Sequence, residues 1–208
     1  MAPRFARALR TLPSLFKAAS ASLPTPIRFA LIGGLGVSAW GAVRATQDID
    51  LLADSDSSPV RDLEFRDRLQ RHLEGKGCVV EWRIGGFDDP VPLLLRLKLH
   101  RSAGGMTVDI LWAHKRYHRE ALVRSIPLKV GRFQVPVLHP EDLILMKLEA
   151  GGPQDLLDVE TLLSNPPPVL SLKSLRQKAA KLRLGEMLDE CLRNAKTKKQ
   201  NRSRKAWR

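Results

Sequence analysis

The chain has 208 residues, 43% of them hydrophobic, enough to bury a sizeable core in one domain or one domain with a small appendage. No apolar run approaches the roughly 18 residues of a membrane span, and two cysteines, Cys78 and Cys191, without CxxC spacing exclude a disulfide framework and suit a reducing, cytoplasmic compartment with both thiols buried. The net charge of +13 is concentrated at the ends: residues 1–30 hold five basic groups and no acid, residues 193–208 hold eight and no acid, and the stretch between is neutral. Such blocks are solvated arms unless a polyanion occupies them.

In chain order, Phe5, Leu9, Leu12, Leu15 and Phe16 recur at helical spacing and predict an amphipathic helix interrupted near Pro13. This acid-free, Arg-rich stretch also has the composition of an organellar transit peptide, the alternative being a leading helix packed on the core. Leu23 to Pro26 reads as a linker, so residues 1–26 form a basic N-terminal helix and linker. Ile27 to Ile32 is a strand ending at Gly33-Gly34, Leu35 to Val43 a short helix, and Asp48 to Ala53 a second strand. A charged-face helix follows over Ser58 to Leu73, with Ser58 as N-cap and Pro59 in the first turn. Asp88-Asp89-Pro90 reads as a loop. Cys78 to Ile84, Leu94 to His100 and Thr107 to Trp112 are strands, the last two joined in hairpin fashion across Gly104-Gly105. After a helix at Lys115 to Arg124 comes a hairpin, Ile126 to Val130 with Phe133 to Leu138, around Gly131. From Pro140 the pattern is helical: Glu141 to Ala150, Gln154 to Ser164, and Leu172 to about Ala195 in one or two pieces. The expectation is an α/β (α+β) fold in which residues 27–138 form a mixed sheet flanked by helices. Residues 139–192 then add a helical segment that completes the site, and 193–208 a disordered basic tail.

The chemistry-bearing residues cluster around the second strand. Alternation along a strand sends Asp48 and Asp50 to one side and Ile49 and Leu51 into the core, so two carboxylates converge. Unpaired they repel, and a hard divalent cation with oxygen ligands relieves that repulsion. Gly33-Gly34, where a strand ends and a helix opens, lets backbone N–H groups approach a phosphate. Together these read as a triphosphate cradle beside a magnesium site. Asp109, alone in the apolar run Thr107 to Leu111, offers a third carboxylate or, more simply, the partner of an arginine. His114 and His118 have the spacing of a metal pair but lack the rest of an HExxH motif and read as surface helix. No GxSxG element or Walker lysine loop is present.

In this order the motifs resemble a nucleotidyltransferase of the DNA polymerase beta superfamily, in particular the AbiEii abortive-infection toxin family and its minimal nucleotidyltransferase relatives. Gly33-Gly34-Leu35 and Arg44-x-Thr46-x-Asp48-x-Asp50 are similar to that family's first motif, and Asp109 falls where its third metal-binding carboxylate is expected. Pro140 to Leu148 with Gln154 to Asp158 resembles the helical motif that brings a lysine and an acid to the site. The resemblance implies two magnesium ions on Asp48, Asp50 and Asp109, with Gly33, Gly34, Arg44 and Thr46 holding the NTP. It also implies that Lys147 neutralises the triphosphate, oriented by Asp158 or alternatively Asp155. The implied reaction moves a nucleoside monophosphate from an NTP to a macromolecular hydroxyl, such as a tRNA 3′ end in the hands of a toxin with a cognate antitoxin. Two rival readings are an antitoxin-type enzyme adding AMP to a partner protein, and an inactive fold that binds nucleic acid or a partner. No membrane partner is expected.

Overall fold

The computed structural model describes residues 3–21, 26–56, 59, 62–85, 91–130 and 132–206. They divide into two compact units, residues 1–36 with 45–138 and residues 37–44 with 139–208. No helix among the described residues is long and apolar enough to cross a membrane.

The first unit contains helix α1 (Pro3–Ala21), strand β1 (Arg28–Leu31), the start of helix α2 (Gly33–Ala39), β2 (Ile49–Asp54), α3 (Leu63–Gly75), β3 (Val79–Ile84), β4 (Leu93–Lys98), β5 (Thr107–Trp112), α4 (Arg116–Val123), β6 (Ile126–Val130) and β7 (Phe133–Val137). The strands form one sheet in the order β3-β4-β5-β2-β1-β7-β6. Only the β2–β5 and β1–β7 pairs are parallel, so the sheet is mixed, as expected.

Register assigns the two faces. Phe29, Ala53 and Trp112 are cross-strand partners and therefore share a face. Phe16 of α1 packs on Phe29 with ring centroids 4.9 Å apart, and Phe65 of α3 meets Trp112 edge-on at 5.9 Å, so both helices cover that face. The alternate residues, including Asp50 and Asp109, point to the other side. There α4 reaches Asp54 through Arg119, at 3.5 Å.

Helix α1 runs through Pro13 without interruption. Phe5, Ala8, Leu9, Leu12, Leu15, Phe16 and Ala19 are all buried, and burying that stripe offsets the roughly 3 kcal/mol that an interior proline costs a helix. The segment is thus a leading helix packed on the core. Helix α3 is capped by Asp62, whose carboxylate accepts the Phe65 N–H at 2.9 Å; the Ser58 cap expected from sequence lies outside the described residues, as does the Asp88-Asp89-Pro90 loop.

The second unit contains the end of α2, α5 (Pro140–Ala150), α6 (Pro153–Ser164), α7 (Leu172–Lys181) and α8 (Gly185–Ala206). Helix α5 is buried along most of its length, acids included. Glu141 accepts hydrogen bonds from the Ser171 N–H at 3.0 Å, the Ser174 hydroxyl at 2.7 Å and Lys178 at 2.7 Å, tying α5 to α7. Burial alone would raise the Glu141 carboxyl, but these donors outweigh it and hold the group below its ordinary range. Residues 193–206, expected to be disordered, continue α8 as helix. Lys, Arg, Gln and Ala are good helix formers, and Asn194 and Lys198 both donate to Glu160 of α6, which anchors the extension.

Candidate active site

The first unit gathers its charged groups in one row across four strands. Because β5 runs parallel to β2 and antiparallel to β4, Asp50, Asp109, Arg96 and Glu81 are successive cross-strand partners, all on the face opposite α1 and α3. Asp48 stands one residue ahead of β2, and the Thr46 hydroxyl donates to its backbone carbonyl at 3.2 Å, pinning the approach to the strand.

Gly33 explains why the turn before α2 is glycine. Its φ of +54° lies in the left-handed region, and a Cβ there would stand 1.9 Å from Oδ2 of Asp50. The Asp50 carboxylate therefore lies directly against bare backbone, and the Ile32 N–H donates to the Asp50 carbonyl at 2.9 Å to fix turn and strand together. Gly34 is buried beneath it.

Asp109 is engaged by an arginine the sequence analysis passed over. Arg96 donates from Nε to Oδ1 at 2.7 Å and from a terminal nitrogen to Oδ2 at 2.6 Å, the bidentate fork that suits guanidinium and carboxylate. Hydrogen bonding to Asp109 raises the Arg96 guanidinium further above its ordinary value, with smaller contributions from Glu81 and Asp48. Glu81 itself is held by Arg83 at 2.9 Å.

The donor chemistry of this row decides what it can hold. Asp48 and Asp50 offer the hard oxygens a magnesium ion takes. Both oxygens of Asp109 are taken up by Arg96, and no group of three or more Asp, Glu, His or Cys side chains stands ready for a metal among the described residues. The row fits one divalent ion on Asp48 and Asp50; it does not fit, as arranged, the three-carboxylate set for two ions.

The second unit holds a different cluster. Gly151, at φ +65°, closes α5 with its N–H donating to the Lys147 carbonyl at 2.9 Å, and the Gly-Gly-Pro break folds α6 back. Lys147 Nζ then lies 2.8 Å from both Asp155 and Asp158. Sequence left these two as alternatives, and the fold uses both. Asp158 also receives Arg44 at 2.9 Å and Gln154 at 3.1 Å. Lys147 and Asp158 are almost fully buried, their side chains 6% and 4% exposed. Arg44, expected on the nucleotide, is thus an ion-pair partner of Asp158 in this arrangement.

The remaining candidates carry no chemistry. His118 is buried, its ring packed edge-on against His114 at 4.7 Å and Tyr117 at 4.4 Å, which makes the histidine pair part of a hydrophobic corner. Cys78 and Cys191 are free and buried, and burial pushes both thiols up, away from the reactive thiolate.

Residues 18–208 match the family described as nucleotidyl transferase AbiEii toxin, Type IV TA system. No curated protein matches the chain. Among solved structures it is similar to an antigenic nucleotidyltransferase-like protein from Paracoccidioides brasiliensis, with 19% identity, a TM-score of 0.47 and coverage of 90% of this chain and 93% of that one. It is also similar to ANT(2'')-Ia in complex with adenylyl-2''-tobramycin, at 18% identity and TM-score 0.40 over 90% and 97% of the two chains. A third likeness, to terminal uridylyl transferase 4 from Trypanosoma brucei with bound UTP and UpU, has 15% identity and a TM-score of 0.36 over 92% and 72%.

Proposed function

Since the chain belongs to the AbiEii nucleotidyl transferase family, we propose that it moves a nucleoside monophosphate from an NTP to a hydroxyl of an RNA acceptor, with the carboxylate row of the first unit as its reaction centre. The observation that carries this reading is the seat of Asp50. Its carboxylate lies against the bare backbone of Gly33, beside Asp109 on the neighbouring strand, on a face that α1 and α3 leave uncovered.

In the proposed step the acceptor oxygen attacks the α-phosphorus, the bond from that phosphorus to the bridging oxygen of the β-phosphate breaks, and pyrophosphate leaves. The hydroxyl proton passes to a carboxylate of the row. Magnesium on Asp48 and Asp50 would supply charge stabilisation of the triphosphate. Gly33 lets phosphate oxygens approach the main chain without a side chain in the way. Thr46 braces Asp48, and Arg96 adds a fixed positive charge beside the transferred group. In the second unit, Lys147 is read as a triphosphate contact that uses its third N–H, since two carboxylates hold it in a fixed rotamer. The eight basic groups of residues 193–208 suit a polyanionic acceptor and favour RNA over a small molecule.

The test is incubation of purified protein and magnesium with each α-labelled NTP and total RNA. Label entering RNA with one preferred NTP is the expected result. Label entering a protein instead would replace the acceptor, and no label in any polymer with any NTP would overturn the reading.

A further inference from the structure

Resting on the reaction proposed above, the structure assigns Arg96 a place that a second metal ion would otherwise fill: we propose that this site takes one divalent ion, on Asp48 and Asp50, and that the Arg96 guanidinium is its permanent second cation. The register makes Arg96 the direct neighbour of Asp109 and puts Asp109 directly beside Asp50, so the guanidinium sits within the row itself. Its fork spans both Asp109 oxygens at 2.6 and 2.7 Å, leaving that carboxylate committed to nitrogen donors. An arginine does not give up its proton in proteins, so the pair persists at any working pH.

Charge balance leads to the same count. Three carboxylates alone would carry three negative charges and invite two divalent ions. Three carboxylates with one guanidinium carry two, which one divalent ion neutralises. Glu81, the partner of Arg96 on its other side, does not disturb this balance, because Arg83 holds it at 2.9 Å. The guanidinium also has donors to spare. Two of its five N–H groups serve Asp109, its side chain is 31% exposed, and the others can meet phosphate oxygens bidentately. Arg96 therefore does from the protein side what a phosphate-bound ion does from the solvent side.

The experiment counts ions on the full-length protein, with Mn2+ alone as the probe and free Mn2+ read by electron paramagnetic resonance. Wild type is expected to bind one ion per chain. Asp109→Asn is expected to keep that ion with affinity within about twofold of wild type, and Asp50→Asn to lose it. Arg96→Gln, which frees Asp109, is expected to take up a second ion. Arg96→Lys, which keeps a positive charge at the same place, is expected to stay at one and serves where the glutamine variant folds poorly. Two ions on wild type, loss of the ion in Asp109→Asn, or a second ion on Arg96→Lys would each overturn the assignment. Failure of the transfer reading looks different: a protein that binds one Mn2+ by this pattern yet labels no polymer keeps the ion site and loses the reaction.

Discussion

The two charged clusters of this molecule are built from similar parts and balanced in opposite ways. In the first unit, three carboxylates on or beside strands face one guanidinium, and the row is left with surplus negative charge on a partly exposed surface. In the second, Arg44 and Lys147 face Asp155 and Asp158, charge for charge, with Lys147 and Asp158 buried. A cluster with surplus charge calls for an ion from outside, whereas a balanced, buried one chiefly holds its own helices together. Chemistry and architecture can thus be told apart by their charge balance.

The sharpest way to break that contrast is to remove one carboxylate from each cluster. Asp50→Ala is expected to lower nucleotide transfer by at least about 10³-fold, the scale of losing a main transition-state stabiliser. Its melting temperature should be unchanged or higher, because like charges are separated. Asp158→Ala should do the reverse in stability. It leaves Lys147 and Arg44 without their shared partner, and urea denaturation should show a loss of about 3–5 kcal/mol. If Asp158→Ala melts like wild type, the helical cluster is not the structural element described here. Lys147→Met keeps most of the buried stem and leaves Asp158 with Arg44 and Gln154, so its cost should be smaller, about 1–3 kcal/mol. A fall in turnover beyond that loss would assign Lys147 to the triphosphate as well.

Gly33→Ala tests the contact between turn and carboxylate. The left-handed φ costs a side chain about 1–2 kcal/mol, and the added methyl must displace Asp50, so transfer should fall by about 10²-fold with a modest drop in melting temperature. Full activity in this variant would detach the turn from the chemistry.

Much of this was legible in the sequence, and what was not has a common cause. Strand ends, the glycine turn, the hairpin over Gly104-Gly105 and the break after Ala150 follow from local pattern, because periodicity and turn chemistry act over a few residues. The row itself depends on register. Once Leu94 to His100 and Thr107 to Trp112 are read as a hairpin, pairing Lys98 with Thr107 puts Arg96 opposite Asp109. A lone arginine in an apolar strand was the same signal as a lone aspartate, and it went unused. Arg44 escaped for a different reason: its partner Asp158 lies 114 positions away, and no local pattern predicts that residues 37–44 join the helical unit. The helical state of 193–206 depends likewise on Glu160, a partner from another helix.

A smaller effect is expected with pH. Glu141 and Glu160 are both held below their ordinary value of 4.5: burial opposes this, and the donors Lys178 with Ser174 and Lys198 with Asn194 outweigh it. A depressed carboxyl stabilises the fold above its unfolded value and loses that contribution as pH falls through its folded value. Stability measured in urea should therefore hold from pH 7 down to about that ordinary value and decline below it. Glu141→Gln should flatten part of the decline.

The central claim is that the strand-built row performs the transfer, and one measurement addresses it directly. Wild type and Asp50→Asn are incubated with magnesium, total RNA and the preferred α-labelled NTP, with labelled RNA and released pyrophosphate quantified together. The account predicts equal amounts of the two from wild type and neither from Asp50→Asn, with the variant melting no lower than wild type. Label entering RNA at the wild-type rate in a folded Asp50→Asn would contradict it.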